Sequence, residues 1–577
     1  MMTLQEALKY IRESRPERFP LFDVALLCSF TPLHLKTFLT ASLLQRLPER
    51  RVECGIGVYG DLLGALQTIS DAPKTAAIVI EWADLDPRLG LRRAAGWLAT
   101  GRDDIVNHAS ARLRALAAAI TPLQRRMRVV VVAPTLPLPP FPITATIQLA
   151  PEAMALHSAV ARFVTEIGRD PNVVILDPAA LDRLSPVAER HDPRGEFAAD
   201  FPYGKRHAAA LAELMARLLA PQAPLKGIIT DLDDTLWRGI VGDVGTDGVS
   251  WSLDGHGQGH ALYQQTLASL AETGALLAIA SKNQAEVAQA ALKRPDMLIA
   301  ADRFFPQEIS WGPKSASVKA ILDTWNVSAD SVVFIDDSAM ELAEVASAIP
   351  DLQFERFPTG DDAAIITLIR RLRDLFGKSA VTAEDHLRLD SVRQSALLRQ
   401  AATTGLDALD AFLANAEATI AISFAKAGFD RRAFDLINKT NQFNLNGVRI
   451  EEAEWIKTLA AEDRFLATVS YTDRFGPLGK IGVIAGRMVG DALRVEHWVL
   501  SCRAFSRRVE HQTLRALLRR FPQARAINLA FHATGRNGPI SDFLSMFARL
   551  EEGMTVIARE RFEVLNLPCY HKVVLDD

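Results

Sequence analysis

Cysteine is scarce in this 577-residue chain, which holds only Cys28, Cys54, Cys502 and Cys569. Four cysteines spaced this widely do not suggest a disulfide framework or a CxxC metal site, so we expect a reducing compartment. An excess of positive charge is also lacking, since 65 Lys and Arg residues face 69 Asp and Glu residues. This balance produces no overall field that would attract nucleic acid or an anionic membrane.

Long apolar runs are lacking as well. The N-terminal segment carries charges every few residues and has no apolar run of the length that a signal peptide requires. The most apolar stretch, residues 129–150, contains five prolines, which predict a strand followed by a loop instead of a membrane-spanning helix. We therefore expect a cytoplasmic protein without a membrane or nucleic-acid partner.

The patterns that are present predict an α/β multidomain protein. Hydrophobic residues make up 49% of the chain and charged residues 23%, as in compact domains. In residues 1–220, aliphatic runs alternate with amphipathic segments, which predicts a doubly wound parallel sheet. The predicted strands there are 22–29, 76–82, 128–133 and 172–177. After a linker at 221–226 we expect a second parallel-sheet domain at 225–376, a helical connector at 377–417 and an α+β domain at 418–577.

Two acidic residues follow a predicted buried strand in the middle domain. The run GIITDLDDTLW places Asp231 and Asp233 at the edge where open parallel sheets bind ligands. Two carboxylates there can divide the work of phosphoryl transfer: Asp231 attacks phosphorus, and Asp233 protonates the leaving oxygen and then activates water. A DxD pair alone also occurs at helix caps and turns, so the prediction depends on the motifs that follow it.

Those further motifs follow in the order that this chemistry needs. The residues predicted to hold the substrate phosphate are Ser281, Lys282, Asn283 and Lys314. The predicted metal ligands are Asp231, Asp233 through its main-chain carbonyl, Asp336 and Asp337. Carboxylate oxygens together with a substrate phosphate suit Mg²⁺, which we expect as the cofactor.

The order DxDxT, strand-Ser, Lys, strand-Asp-Asp resembles the haloacid dehalogenase (HAD) superfamily of phosphotransferases. The longer strings DLDDTLWRGIVGDVG, AIASKNQAEVAQAALKRPDM, ISWGPKSASV and VVFIDDSAM are similar to its FkbH-like subfamily (HAD subfamily IIIC). The resemblance covers 225–577 and extends faintly over 1–220. It implies a HAD-like middle domain and an SGNH-hydrolase-like N-terminal domain. The N-terminal domain is expected to be non-catalytic, because it lacks a GDS motif around Ser29.

The C-terminal strings NKTNQFNLNG, DRFGPLGKIGVI, WVLSCRAFSRRVE and TGRNGPISDF also resemble FkbH-like proteins, whose C-terminal half is similar to GNAT-type acyltransferases. Such folds bind a pyrophosphate on an R-x-x-G-x-G/A loop. Here Ser506 and Arg508 occupy both glycine positions, which disfavours coenzyme A. The residues expected instead to meet the pantetheine phosphate of an acyl carrier protein are Arg503, Arg507 and Arg508.

The resemblance further implies a transfer step. FkbH-like proteins are associated with moving a glyceryl unit from 1,3-bisphosphoglycerate to a carrier thiol through a cysteine thioester. Cys502 is the cysteine inside a family motif, and the adjacent Arg503 favours its thiolate, so we predict that Cys502 carries this unit. Cys569, beside His571, is the alternative, and a small core residue is the other possible role of Cys502.

These predictions together describe a bifunctional glyceryl transferase/phosphatase that acts on a phosphorylated three-carbon substrate. It would load the glyceryl unit onto an acyl carrier protein, in polyketide or related secondary metabolism. Two alternatives stay open. One is a HAD phosphatase fused to an acyltransferase that modifies a sugar or amine in envelope polysaccharide biosynthesis. The other is a scaffold that docks carrier proteins.

Overall fold

The computed structural model describes residues 2–13, 19–69, 73, 75–92, 101–140, 143–378, 380–404, 406–426, 428–474, 476–501, 504–505, 507–565 and 568–576. The chain divides into two compact units, Met1–Ala223 and Pro224–Asp577. Among the described residues, no helix has both the length and the apolar character needed to cross a membrane.

The first unit is an α/β domain around one parallel sheet. Its strands are β1 (Leu21–Leu27), β2 (Arg51–Ile56), β3 (Thr75–Val79), β4 (Arg128–Val132) and β5 (Val173–Ile175). Its helices are α1 (Leu4–Arg12), α2 (Leu33–Arg46), α3 (Leu62–Thr68), α4 (Trp82–Leu85), α5 (Arg102–Leu123), α6 (Pro151–Ile167), α7 (Pro178–Leu184), α8 (Pro193–Ala199) and α9 (Lys205–Leu219). The strand order is β2-β1-β3-β4-β5, and every residue of β3 is buried because helices cover both faces of the sheet.

The sheet in this unit contains one strand that the sequence did not predict. β2, with the sequence RVECGI, lies at the edge and buries only Cys54. An edge strand has no apolar run, so the pattern that identifies the central strands is absent there. The proline-rich stretch behaves as expected: its first residues form β4, and the described residues between β4 and α6 contain no regular element.

The second unit begins with another parallel sheet. Its strands are β6 (Gly227–Thr230), β7 (Leu276–Ser281), β8 (Phe304–Ile309), β9 (Val332–Asp336) and β10 (Gln353–Arg356). Its helices are α10 (Val241–Val244), α11 (Gln258–Glu272), α12 (Ala285–Leu292), α13 (Lys314–Trp325), α14 (Ala339–Ala348) and α15 (Asp362–Phe376). The order β10-β9-β6-β7-β8 places β6 in the centre, paired with β7 and β9. Two parallel sheets confirm the expected α/β class.

The remainder of the second unit contains helices followed by a mixed sheet. The segment predicted to be helical holds α16 (Ala383–His386), α17 (Arg388–Thr404) and α18 (Leu406–Asn415). Val392 of α17 is buried in the same apolar cluster as Trp325 of α13, so these helices pack onto the preceding sheet.

The last sheet has both strand orientations. Its strands are β11 (Thr419–Ser423), β12 (Phe443–Asn444), β13 (Arg464–Asp473), β14 (Gly476–Val489), β15 (Ala492–Leu500), β16 (Ala526–Leu529), β17 (Thr555–Ala558) and β18 (Lys572–Asp576). Its helices are α19 (Arg431–Lys439), α20 (Glu452–Ala460), α21 (Val509–Arg520), α22 (Gly538–Ser545) and α23 (Arg559–Val564). The order is β17-β16-β15-β14-β13-β11-β18, antiparallel except for β15 with β16 and β11 with β18. This agrees with the expected α+β pattern, whereas its GNAT-like character stays a prediction.

Candidate functional site

The ends of three neighbouring strands bring the predicted residues of the middle domain together. Asp231 follows β6, Ser281 is the last residue of β7, and Asp336 is the last residue of β9. Because β6 is parallel to both of its neighbours, all three residues reach the same edge of the sheet. Lys314, the first residue of α13, reaches the same place from the loop after β8.

Lys314 joins two acids at this edge. Its Nζ lies 3.0 Å from Asp231 Oδ2 and 2.5 Å from Asp336 Oδ2, and all three side chains are buried. Burial lowers the Lys314 pKa, but the charges of Asp231 and Asp336 raise it by more, so the net shift is upward and the ammonium stays charged. A buried charge is tolerated when it is paired in this way.

The acids themselves are crowded. Burial raises the pKa of Asp231 to about 6, although Lys314 opposes the rise. The pKa of Asp336 is also raised, because burial outweighs Lys314, and the pKa of Asp337 is raised by burial and by the charge of Asp231. One lysine therefore faces three carboxyl groups, an excess of acid that a cation would relieve.

This acidic cluster has the donor set of a hard-cation site. Asp231, Asp336 and Asp337 each offer an oxygen, and these oxygens lie within 4.8 Å of one another. Asp231 Oδ1 is buried and accepts no hydrogen bond from the part of the chain that the structure describes. A buried carboxylate oxygen without a partner is costly, and Mg²⁺ prefers such oxygen ligands. The cluster can hold Mg²⁺.

Asp233 takes a different position from its neighbour Asp231. Its Oδ1 accepts hydrogen bonds from Trp237 Nε1 at 2.9 Å and from the Val241 amide at 3.0 Å. Its Oδ2 accepts one from Asn283 Nδ2 at 3.0 Å. Three donors fix the orientation of the carboxylate, and the acidic cluster of side chains does not include it. The prediction that Asp233 binds the metal through its main-chain carbonyl stays a prediction.

The predicted phosphate-binding residues divide into two groups. The Ser281 hydroxyl accepts a hydrogen bond from Asn283 Nδ2 at 3.1 Å, and Ser281 also opposes the rise in the Asp231 pKa. Lys314 contacts Asp231 directly. Ser281, Asn283 and Lys314 therefore surround the acids. Lys282 instead pairs with Glu341 of α14 at 2.9 Å. The role of Trp237 was not predicted from the sequence, although its place four residues after Asp233 in DLDDTLW was a visible signal.

Comparison with known proteins supports the fold of this region. The N-terminal part of a Bacteroides fragilis protein, which contains a phosphatase domain and was solved in complex with Mg, covers 66% of this chain and 100% of its own length, with a TM-score of 0.50 and 19% identity. The two chains share a fold. No family model matches the chain, and no curated protein matches it.

Two further solved structures are similar over shorter stretches. A HAD family enzyme from Bacteroides thetaiotaomicron, solved as an Asp-to-Ala mutant with magnesium and inorganic phosphate, is 12% identical, covers 25% of this chain and 98% of its own, and has a TM-score of 0.18. A proposed GDSL-like lipase from Parabacteroides merdae is 13% identical, covers 35% and 97%, and has a TM-score of 0.23. At these TM-scores neither similarity supports a conclusion.

The predicted site of the last sheet is described only in part. Cys502, Arg503 and Ser506 lie outside the residues that the structure describes. Just before them, Leu500 and Val499 of β15 pair with Phe443 and Asn444 of β12. Cys502, the predicted thioester residue, therefore follows in sequence the end of β15 that pairs with β12.

The two described arginines of the predicted carrier-binding set have partners inside the second unit. Arg507 is 1% exposed, its guanidinium lies 5.3 Å from the Tyr471 ring centroid, and its Nη2 donates to Gln394 Oε1 at 3.2 Å. Arg508 pairs with Asp410 at 2.5 Å and donates to the Pro568 carbonyl at 2.7 Å. Arg507 is buried and Arg508 has two partners inside the unit, so these contacts do not support a carrier contact, which stays a prediction.

The other cysteines differ in their surroundings. Burial raises the pKa of Cys28 to about 12 and that of Cys54 to about 11, as expected for core thiols. Cys569 is half-buried, and burial raises its pKa although Arg515 and Arg508 oppose the rise. None of these three described thiols is activated by its neighbours.

The first unit contains a cavity of about 540 Å³ next to Ser29. Asp84 and His191 also line it, and His191 Nε2 lies 2.5 Å from Glu196 Oε2. The Ser29 hydroxyl faces Asp84, whose pKa burial raises to about 6. The hydrogen bonds that the structure assigns to His191 do not include one with Ser29, so a serine-histidine pair is not formed there among the described atoms.

Proposed function

We propose that this chain is a Mg²⁺-dependent phosphatase whose reaction takes place at the ends of β6, β7 and β9. One observation carries the proposal. Lys314 lies between Asp336 and Asp231, which keeps an unpartnered buried oxygen, while Asp233 is held separately by three donors. This arrangement gives two neighbouring carboxylates different tasks.

The chemistry follows from the two positions. The Asp231 carboxylate attacks phosphorus, the bond from phosphorus to the substrate oxygen breaks, and Asp233 gives its proton to that oxygen. Water then attacks the phosphorus of the aspartyl phosphate on Asp231 and returns a proton to Asp233. The bond from Asp231 to phosphorus breaks, which frees inorganic phosphate and the Asp231 carboxylate. Lys314 holds Asp231 in place and offers positive charge to the phosphoryl oxygens.

A magnesium ion held by Asp231, Asp336 and Asp337 would supply charge neutralisation, so that an anionic nucleophile can approach an anionic substrate. The donor set fits this role, because all the available ligands are oxygens and their summed charge exceeds that of the single lysine.

The proposal extends to a second, transfer activity. The motifs that resemble FkbH-like proteins support 1,3-bisphosphoglycerate as the substrate and an acyl carrier protein as the acceptor, in polyketide or related metabolism. The Cys502 thiolate would attack the acyl carbon and expel phosphate from it. The thiol of the carrier would then take the glyceryl unit by thioester exchange, which regenerates Cys502.

Mass spectrometry of the intact protein tests both activities. The protein is incubated with 1,3-bisphosphoglycerate, with and without Mg²⁺, and then digested and mapped. We expect a glyceryl-sized adduct on Cys502 that disappears when a holo carrier protein is added. A Cys502→Ser variant should lose the adduct, whereas the matched Cys569→Ser variant should keep it.

The outcomes separate the two parts of the proposal. Phosphate release without an adduct on any cysteine would leave a phosphatase and reject the transfer activity. An adduct without release of the remaining phosphate would reject the phosphatase. Loss of the adduct in Cys569→Ser but not in Cys502→Ser would reject the assignment of the thioester to Cys502.

A further inference from the structure

One tryptophan differs from all the others that the structure describes. Trp311 is 74% exposed, whereas the remaining described tryptophans are each 5% exposed or less. Indole has a large apolar surface that proteins normally bury, so an exposed tryptophan is informative where an exposed smaller residue is not.

Trp311 lies in a short loop whose two ends both touch the phosphatase site. The amide of the preceding residue, Ser310, donates to the Ser281 carbonyl at 3.1 Å. Three residues after Trp311, Lys314 contacts Asp231. Consecutive Cα atoms are about 3.8 Å apart, so the Trp311 backbone lies within about 11 Å of the Lys314 backbone and closer still to that of Ser310.

A second exposed apolar residue is anchored in the same way. Met340, also 74% exposed, lies in the first turn of α14. The following residue, Glu341, pairs with Lys282 at 2.9 Å. We call Trp311 and Met340 the apolar rim. Trp311 follows Ser310, which contacts Ser281, and Met340 precedes Glu341, which contacts Lys282. Ser281 and Lys282 are consecutive residues at the end of β7.

The helix that follows the Trp311 loop and the helix that carries Met340 are also joined to each other. The amide of Ser315 in α13 donates to Glu344 Oε2 in α14 at 3.1 Å. Glu344 is one helical turn after Met340, and Ser315 is four residues after Trp311. This contact joins the start of α13, which follows the loop with Trp311, to the helix that carries Met340.

We propose that the apolar rim binds the organic part of the substrate, which is therefore a phosphate monoester with an apolar or planar group close to its phosphate. The inference rests on the proposed phosphatase function. The acids and Lys314 handle the phosphate, but they offer nothing to an apolar body, whereas an indole and a thioether do.

Two primary alkyl phosphates test the proposal because their leaving alcohols are alike. We compare 2-phenylethyl phosphate with glycerol 1-phosphate, using the full chain with Mg²⁺. The wild type should show the higher kcat/KM on 2-phenylethyl phosphate. In Trp311→Ala the ratio of the two kcat/KM values should fall about tenfold, the size expected for one lost apolar contact. The matched control is Phe197→Ala, which removes a 59% exposed aromatic residue from the first unit and should leave the ratio unchanged.

A binding measurement gives a readout that does not depend on turnover. The non-hydrolysable 2-phenylethylphosphonate should cover Trp311 and reduce acrylamide quenching of tryptophan fluorescence, and this protection should be absent in Trp311→Ala. An unchanged ratio in Trp311→Ala, or protection that survives the substitution, would overturn the proposed rim. Failure of the wild type to hydrolyse either phosphate would instead reject the phosphatase function, and protection by the phosphonate would still decide whether the rim binds apolar groups.

Discussion

Asp231 and Asp233 are separated by one residue, yet their environments assign them different chemistry. Asp231 is buried against Lys314 and keeps one oxygen without a hydrogen bond among the described residues. Asp233 is saturated by Trp237, Val241 and Asn283. The first arrangement leaves an oxygen for new bonding, and the second holds a carboxylate in a fixed orientation beside the nucleophile.

Replacing the nucleophile should abolish the reaction while leaving the fold intact. Asp231→Asn keeps the shape of the side chain but removes the charge, so we expect kcat for phosphate release to fall by about 10³-fold or more. Stability should not fall by much, since a raised pKa shows that burial disfavours this charge. Phosphate release and thermal unfolding are measured together, with the exposed Asp351→Asn as the matched control. Release above a tenth of the wild-type rate would contradict the assignment.

A buried histidine in the first unit should make its stability depend on pH. His207 Nε2 lies 3.0 Å from Thr135 Oγ1, and Nδ1 lies 3.0 Å from Ser185 Oγ. Burial, aided by the charge of Arg190, lowers the His207 pKa from 6.5 to about 3. The folded state therefore holds the neutral ring, while the unfolded state binds a proton below pH 6.5.

The sign follows from this difference. Stability from His207 is complete above pH 6.5 and is lost as the pH falls toward 3, with a slope of up to about 1.4 kcal/mol per pH unit. Hydrogen exchange of the β3 and β4 amides should report the loss, and His207→Gln should flatten it. Equal slopes in the wild type and in His207→Gln would show that another group is responsible.

Single residues also show the limit of prediction from sequence. The acids and Ser281 were predictable because strand ends in a parallel sheet share one edge. The fate of Arg507 was not, because its burial depends on Tyr471 in β13 and on Gln394 in α17, which are distant in sequence. Spacing along one segment carries no information about such contacts.

At the scale of elements, the central strands were the most predictable. β3, β4 and β9 are buried on both faces and appear in the sequence as continuous aliphatic runs. β2 was missed because five of its six residues are not fully buried, and β12 because it is only two residues long. The short strand β6 was predictable mainly from the acids that follow it.

That short strand packs closely against a helix. A Cβ on Gly227, the first residue of β6, would lie 2.3 Å from Trp325 Cζ3 of α13. Because the ring is buried and cannot move freely, Gly227→Ala should lower the free energy of unfolding by about 1–3 kcal/mol. Urea unfolding measures the change. Gly242→Ala is the matched control, since no atom lies within 4 Å of its added Cβ, and it should stay within about 0.5 kcal/mol of the wild type. Equal midpoints for the two variants would contradict the packing argument.

At the scale of the whole molecule, the chain joins an α/β unit to a larger unit with a parallel and a mixed sheet. The α/β class and the edge that carries the acidic cluster followed from sequence periodicity and motif order. The pairing of the end of β15 with β12 could not be predicted in this way, because it joins residues about 55 positions apart in the sequence.

Magnesium should stabilise the second unit through the acidic cluster. At about 100 times its dissociation constant, a ligand that binds only the folded state adds about 2.7 kcal/mol. We therefore expect Mg²⁺ to raise the unfolding midpoint, EDTA to reverse the effect, and Asp337→Asn to abolish it. The shift is measured by calorimetry. The Asp351→Asn control should keep the shift, and a shift that survives in Asp337→Asn would place the ion elsewhere.

The most direct test of the account is the capture of the phosphorylated nucleophile. The protein is mixed with Mg²⁺ and a phosphate ester substrate, treated with borohydride, digested and analysed by mass spectrometry. Borohydride reduces an aspartyl phosphate to homoserine, so the account predicts homoserine at position 231 only when substrate is present. Rapid phosphate release with an unmodified Asp231, or reduction at another acid of the cluster, would contradict it.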